Sequence, residues 1–521
     1  MQTTSAAFTA EQKAYDRGVA ASIGVSWKKQ YSASYRPFTI GVSTIGGADT
    51  IASVGTTVSD WSRYIFFDES DYLTGLSYER SLKMPTGGLS MAMYEAQFDN
   101  TSGRFTPRYM GGSGELYTSV GKVMRPTIIN AGFNVDGVDQ VLPQVVGLNE
   151  KPMRVNMRSK AAQLAGYDFV SFLRNSYLDH QIMATAQRSD QIISSVLTDL
   201  GFATAQYDLD YGINPIPFTM FDVGTRFSDV IDKLVEAENG RFYQDETGIL
   251  KFENRQHWDS SPYNSVSRVI YTAQVLDAES PSDDHIINVV EVKSKSKVKQ
   301  PQQVVASFTT ATPIAAGAQV SLFVEYDNPV LGVVTPSNGG SASYYVANDN
   351  QDGSGLDRTS SISLKSITNF AKASKLVFEN TSASPVFITN IVISGRPVKD
   401  VADIYVRAQD DSSVTAYQER PYVIENEFIQ NSDWAASYAQ MVLNDFAEPE
   451  NLQKIKIRAM PDLQLGDLVS WQGRYWRVFD IKTTITPSDG FIQELTMLQR
   501  SLTSYFRIGI STIGGSDRIA P

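Results

Sequence analysis

The run Phe227-Ser-Asp-Val-Ile-Asp-Lys-Leu-Val-Glu-Ala-Glu-Asn-Gly-Arg-Phe-Tyr-Gln-Asp-Glu-Thr-Gly-Ile-Leu-Lys-Phe252 changes its hydrophobic period halfway along. Phe227, Val230, Ile231 and Leu234 fall at the i, i+3, i+4, i+7 spacing of one helical face, and Asn239-Gly240 supplies residues that tolerate the left-handed turn closing a helix. After that stop, 241–244 and 249–252 are short strand-like runs on either side of Asp245-Glu-Thr-Gly248, which predicts a hairpin. Upstream, Ile192, Ile193, Val196, Leu197 and Leu200 form a second helical face, begun by Ser189 as N-cap and stopped by Gly201. Two amphipathic helices beside a hairpin read as an α+β unit, each helix burying one face on a small sheet.

Strand signals surround this unit. They dominate from 76 to 149, with alternation in Leu89-Ser-Met91-Ala-Met93 and a turn at Asp99-Asn-Thr-Ser-Gly103. They resume from 262 to 305. Between 306 and 398 the chain becomes rich in Ser, Thr, Ala, Asn and Gly, and apolar runs such as 320–324 and 386–393 alternate with turns, the pattern of an inserted β-sandwich. Near the end, Trp434, Tyr438, Met441, Val442 and Phe446 mark a helix that stops before Pro449. Ile455-Lys-Ile457-Arg follows as a half-exposed strand, and 468–471 and 474–478 flank a Gln472-Gly473 turn, as in a small barrel or curved sheet. The N-terminal arm carries a helix expected to be capped by Thr9, with Gln12 three residues on.

The expected class is therefore α+β, mainly β, in several small domains, as 521 residues at roughly 150 per domain require. The shifts in pattern divide the chain into an arm (1–37), a β domain (38–155), the α+β domain (156–260), a β domain from 261–305 with 399–430, the inserted sandwich (306–398), a helix with a small terminal barrel (431–500) and a last strand (501–521).

Lys and Arg number 45 against 57 Asp and Glu, a net charge of −12, which argues against a protein that grips duplex DNA by displacing counterions. There is no cysteine, which removes disulfides, thiolate metal sites and Cys nucleophiles. The start, Met1-Gln-Thr-Thr-Ser5, lacks a basic, apolar leader, and no run of 18 apolar residues occurs, so the expectation is synthesis in the cytoplasm without a membrane span. Charged residues make up only 20%, below the usual quarter, as if partners cover much of the surface.

Catalytic signatures are absent. His180, His257 and His285 are the only histidines and form no zinc motif; Gly111-Gly-Ser-Gly114 and Gly353-Ser-Gly355 lack the strand-to-helix context of a phosphate loop. No catalytic, cofactor or metal residue is assigned. Asn348-Asp-Asn350-Gln-Asp352-Gly353 has the oxygen spacing of a calcium loop, but Thr359 stands where a bidentate Glu is needed, so a polar sandwich loop is preferred. Asp277, Glu279, Asp283, Asp284 and His285 are too close in sequence to converge readily on a metal. Lys293, Lys295, Lys297 and Lys299 would line one face of a strand, either to meet anionic polymers or, preferably, as a solvated edge.

The most specific feature is a repeat. Phe38-Thr-Ile-Gly-Val-Ser-Thr-Ile-Gly-Gly-Ala-Asp-Thr-Ile-Ala52 returns as Phe506-Arg-Ile-Gly-Ile-Ser-Thr-Ile-Gly-Gly-Ser-Asp-Arg-Ile-Ala520, identical at eleven of fifteen positions. Each copy reads as a short strand followed by a Gly-Gly-Asp turn. Two readings stay open: a hairpin reused within one barrel, or two plugs that fit similar sockets. On the second, Phe38, Ile40, Ile45 and Asp49, with Phe506, Ile508, Ile513 and Asp517, are the candidate partner-docking residues.

In order along the chain, Phe98-Asp-Asn-Thr-Ser-Gly103-Arg-Phe-Thr-Pro107, Val123-Met-Arg-Pro126, Val145-Val-Gly147, Ala161-Ala-Gln-Leu-Ala-Gly-Tyr-Asp168, Ala237-Glu-Asn-Gly240-Arg-Phe-Tyr and Pro461-Asp-Leu-Gln-Leu-Gly466-Asp-Leu-Val469 resemble the minor tail or tail-hub proteins of long-tailed bacteriophages, relatives of the baseplate hub. The resemblance covers most of 85 to 300 and 400 to 500; the stretch 306 to 398 has no counterpart. It implies a non-enzymatic structural hub in the virion, at the distal end of the tail. Its copies, three in all, would form a ring with pseudo-sixfold symmetry beneath the distal tail protein. That ring would hold the tape-measure protein, carry fibres or receptor-binding proteins, and let DNA pass without sequence-specific contact.

Two other readings stand beside it. One is a carbohydrate-binding or depolymerising tail-tip protein, with Phe323, Tyr344 and Tyr345 as stacking residues on the sandwich. The other is a cellular injection device built on the same hub.

Overall fold

The computed structural model describes residues 2–14, 17–27, 64–112, 115–280, 282–338 and 342–500. Strands dominate. Among the described residues there are six α-helices: α1 (Ala6–Lys13), α2 (Val170–Arg174), α3 (Ser189–Asp199), α4 (Phe227–Glu238), α5 (Asp411–Tyr417) and α6 (Ser432–Phe446). None of them is long and apolar enough to cross a membrane. The α+β, mainly β class expected from the sequence is the class observed.

One 14-stranded sheet draws on both ends of the described chain. Its first lobe contains strands Val19–Val25, Leu73–Ser81, Met93–Asp99, Pro126–Val135, Val138–Leu148 and Ala161–Tyr167, curved round Trp27, Tyr78, Phe98, Phe105 and Leu164. Its second lobe contains Leu452–Arg458, Leu468–Trp471, Arg474–Thr486 and Gly490–Arg500, round Ile457, Trp471, Trp476, Val478 and Met497. Strand Leu73–Ser81 pairs antiparallel with Arg474–Thr486, Tyr78 opposite Thr483, and so sews the lobes together. The strand path is open, a curved sheet and not a closed barrel. Aromatic and β-branched residues alternate inward with polar ones outward, as a sheet with one buried face demands.

Between the lobes in sequence lies the α+β unit. Helices α3 and α4 form where the periodicity placed them, and α4 closes on Asn239 in the left-handed conformation, φ 52°. The hairpin follows directly, Arg241 opposite Glu253. Two local expectations need correction. Ser189 is the first residue of α3 and not its cap: its hydroxyl donates to Glu238, while the Arg188 N–H is taken by the Gln191 side chain. At the N-terminus α1 is capped by Ser5, whose Oγ accepts the Phe8 N–H; Thr9 lies inside the helix and its hydroxyl bonds back to the Ser5 carbonyl. Both sites offered several capping side chains within four residues, and tertiary contacts chose between them.

The alternation at 89–93 is not one strand. Gly88–Leu89 joins the α+β sheet, parallel to Arg241–Gln244, and Met93–Asp99 begins the next strand in the first lobe. Asp168 holds the crossing by accepting the Ala92 N–H at 2.7 Å.

The remaining elements hang on one 24-residue strand, Val386–Gln409. Its second half pairs with Val289–Lys299, which also takes Pro421–Glu425 on its far side, and α6 packs on this sheet. Its first half pairs with Gln303–Phe308, Thr312–Ile314 and Tyr344–Asn348. These face a three-stranded sheet of Gln319–Glu325, Ala373–Asn380 and Ile362–Phe370 across Leu376, Phe378, Ile388, Ile391 and Ile393, a two-sheet sandwich.

Candidate functional site

The expected docking residues Phe38, Ile40, Ile45, Asp49, Phe506, Ile508, Ile513 and Asp517 all lie outside the described residues. The structure does describe where the chain leads to and from them. Copy one falls between Val19–Val25 and Phe67–Asp68, two strands that pair with each other, Gly24 opposite Asp68, at the edge of the first lobe. Trp27, fully buried, donates from Nε1 to Glu69 at 2.9 Å, and Arg104 grips the same carboxylate through two nitrogens at 2.7 and 2.9 Å. Copy two follows Arg500, the last residue of Gly490–Arg500 in the second lobe. Arg500 holds both oxygens of Asp445 on α6. The described segments that flank the two copies thus lie on different lobes, each with an arginine–carboxylate fork.

The outward face of the shared sheet is the second feature. Residues directly opposite across strands point to the same side. Lys456 faces Glu494, Glu494 faces Lys482, Lys482 faces Glu79, Glu79 faces Met93 and Met93 faces Tyr167, a row across six strands and both lobes. At the ~4.8 Å spacing of strands the row is about 24 Å wide. Neighbouring rows hold Ile492, Thr484, Ser77, Glu95 and Ala165, or Lys454, Thr496, Asp480 and Ser81, so the face is largely polar, with Met93, Tyr167 and Ile492 as its large apolar or aromatic members. Lysines are matched by acids: Lys456 lies 3.9 Å and Lys482 3.8 Å from Glu494. Asp480 is the exception. Burial first, then the Glu79 charge, push its carboxyl up to about 7, and its Oδ1 has no hydrogen-bond partner.

A third feature escaped the sequence. A cavity of about 190 Å³ lies where the α+β unit meets the two lobes, walled by Arg80, Asp210, Tyr243, Glu253, His257, Trp258 and the 464–467 loop among others. His257 Nδ1 sits 2.8 Å from Asp210 and Nε2 3.3 Å from Glu253, with the ring against Tyr263 at 4.1 Å. Burial opposes the imidazolium, but the Asp210 hydrogen bond and the two carboxylate charges outweigh it and raise His257 above its ordinary value. Burial also raises Glu253, and it drives the Tyr243 hydroxyl well above its ordinary value, with the Glu253 charge adding to it. No motif links these residues, since Asp210, Glu253 and Gln464 come from three separate stretches of chain.

Other candidates resolve individually. The 348–353 loop satisfies itself: Asp349 binds Arg358, and Asp352 takes both the backbone N–H and hydroxyl of Ser354. In the 277–285 stretch Asp283 goes to Arg420, Glu279 to Lys454 and Asp284 to His285, three directions from one segment. Among the described residues no three acidic or histidine side chains are grouped to hold a metal. Lys293 lies near Glu291, Lys295 near Asp400, and Lys297 bonds Glu427, so at least three of the four strand lysines are matched by acids. The sugar platform is not assembled. Tyr345 is core, 5% exposed, donating to the Ile362 carbonyl and packed on Phe378, whereas Phe323, 58% exposed, points outward from the opposite sheet.

No family model and no curated protein matches the chain. Among solved structures, the fold is similar to the 43 kDa tail protein of prophage MuSo2 from Shewanella oneidensis, with TM-score 0.44 and 11% identity over 84% of this chain and 96% of that one. It is similar to the tail protein from Neisseria meningitidis MC58, with TM-score 0.46 and 10% identity over 93% and 97%. It is similar as well to prophage tail protein gp18 from Listeria monocytogenes EGD-e, with TM-score 0.41 and 9% identity over 86% and 94%.

Proposed function

We propose that this chain is a structural, non-enzymatic hub of a long-tailed phage tail, three copies of which close into a ring round the DNA path. The observation that carries the reading is the polar row from Lys456 to Tyr167, continuous across the seam between the lobes. A broad, largely polar sheet face suits the wall of a water-filled passage. Two lobes per chain make six round a threefold axis, so a trimer can abut a sixfold tube. Lysines already matched by Glu494, in a chain of net charge −12, give a passing phosphate backbone little to hold.

On this reading the ring sits at the distal end of the virion tail, beneath the distal tail protein, holding the tape-measure protein and carrying fibres or receptor-binding proteins. The repeated peptides act as plugs: Phe38, Ile40 and Ile45, like Phe506, Ile508 and Ile513, fill equivalent pockets, with Asp49 and Asp517 in the following turn. One root per lobe gives the ring six near-identical plugs, a number that fits a sixfold neighbour.

Mass photometry and negative-stain imaging of the purified protein test the ring. Three times the 57.5 kDa chain mass, with a threefold collar and a central hole, is the expected result; a monomer at all concentrations refutes it. Removing 506–520 should leave the collar intact and abolish its attachment to tails. Unimpaired attachment would show that the peptides are not plugs.

A further inference from the structure

The cavity beside His257 is acidic, and most of its carboxylates are partnered within the fold: Asp208 by Lys251, Asp210 by His257, Asp245 by the turn it caps, Glu246 by Arg80 and Asp467 by the Gln464 N–H. Six of its walls are carboxylates, Asp208, Asp210, Asp245, Glu246, Glu253 and Asp467, against three cationic groups, Arg80, Lys251 and His257. Arg241 and Arg477, which stack on the Trp258 ring, bond backbone carbonyls through their Nη atoms, while the Nε of each is buried without a partner. Within this acidic wall Glu253 is only 7% exposed, and its Oε1 takes the Tyr243 hydroxyl at 2.8 Å while its Oε2 has no hydrogen-bond partner. A buried carboxylate oxygen left without a donor is costly, and a ligand that brought a donor would relieve it.

We infer that this cavity binds an alkylammonium group, the head of a lysine side chain or of a free diamine. Three N–H donors on a compact cation can serve Glu253 Oε2 and a neighbouring carboxylate together. About 190 Å³ is room for about six waters, or for a short methylene chain behind one ammonium. A metal ion fits less well, because no three acidic or histidine ligands converge among the described residues.

Calorimetric titration of the intact protein tests the inference, with 1,5-diaminopentane and Nα-acetyl-lysine methylamide as probes and 1-pentanol and calcium chloride as controls. Saturable binding of at least one amine is expected, with neither control competing. Glu253→Gln should weaken it about tenfold or more, the worth of one charge-assisted hydrogen bond. Tighter binding of the free diamine identifies a small-molecule ligand, and tighter binding of the lysine derivative identifies a partner's side chain. No saturable heat with either amine, equal binding of pentanol or calcium, or an affinity unchanged in the variant overturns the inference. If Glu253→Gln does not fold, Asp208→Asn, at the exposed rim, takes its place: a two- to threefold loss supports the site and no loss refutes it. None of these outcomes depends on whether the protein forms a ring.

Discussion

The two lobes share one sheet, yet they treat a carboxylate removed from water in opposite ways. In the first, Glu69 is fully buried and fully served, by the Trp27 indole and by two nitrogens of Arg104. In the second, Asp480 is pressed between strands with Glu79 opposing it and one oxygen unsatisfied. A paired buried charge becomes expensive only when its mate is removed, whereas an unpaired one is expensive as it stands. The first lobe therefore fixes the root of an arm with a bond that must not be broken. The second keeps an unrelieved charge at the seam, on the face proposed to line a passage. On the proposed reading, the charge at the root of the first arm is paired, as Asp445 is by Arg500 at the second, and the charge on the wall is not.

The largest test asks whether the lobes are one cooperative unit. Phe98 is fully buried and packs on Phe105 with ring centroids 5.1 Å apart. Phe98→Ala should cost about 3–5 kcal/mol by transfer and cavity terms. If the common sheet unfolds as one body, hydrogen exchange will quicken in Arg474–Thr486 as well as in Met93–Asp99; quickening confined to the first lobe would separate the two. Next in size, Glu69→Gln leaves Arg104 only Glu115, 3.6 Å away, as a charged mate and should destabilise by about 3 kcal/mol in denaturant unfolding. A loss below about 1 kcal/mol would mean that the fork is not an anchor.

Asp480→Asn should move the other way. The folded carboxyl is held up to about 7, above its ordinary 3.8, so the folded state binds the proton more tightly than the unfolded one. The native charge therefore costs nothing below the ordinary value. Its cost grows as pH rises between the two, and it is complete above about 7. Asp480→Asn should be more stable than the native chain by roughly 1–3 kcal/mol at pH 8 and nearly equal to it near pH 4. Glu79→Gln should reproduce part of the gain, since Glu79 is the larger of the two charges, with Glu494, that oppose Asp480. A native melting temperature that tracks the Asn variant's across this range would show that Asp480 is already relieved by water.

What the sequence showed and what it hid follow from range. Helix α4, its Asn239 stop and the hairpin after it are encoded in contiguous residues, and the periods alone find them. The strand Val386–Gln409 was legible only to 393, because Gly395-Arg-Pro397 is the usual punctuation of a turn. The strand runs on because Gly395 lies hard against Val330, where an added Cβ would meet Cγ1 at 2.3 Å, and Pro397 pairs with the two-residue strand Val330–Leu331. Glycine is there for close approach and not for a turn. The sites were harder still. The row from Lys456 to Tyr167 takes one residue from each of six strands, and the His257 cavity assembles acids from 208 to 467, so no local spacing announces either. The repeat is plain in the sequence, and the structure adds the lobe to which the described strands flanking each copy belong.

The smallest effect tests whether the second lobe also carries strain in its turns. The hairpin between Leu468–Trp471 and Arg474–Thr486 closes on Gln472 and Gly473, with φ of 50° and 75°. Both central residues of this two-residue loop are left-handed, the geometry that matches the twist of its strands. Glycine meets it freely at 473, but glutamine at 472 bears the steric cost of its Cβ against the following carbonyl. Its side chain is exposed, so replacement removes little packing. Gln472→Gly should therefore stabilise the second lobe by about 0.5 kcal/mol, less than the bare conformational preference because the unfolded chain also gains freedom. Asparagine, which tolerates the same region and loosens the unfolded chain less, should match or exceed it. A loss of stability in both variants, measured by denaturant midpoint at constant slope, would mean that the Gln472 side chain contributes more to the lobe than its backbone costs.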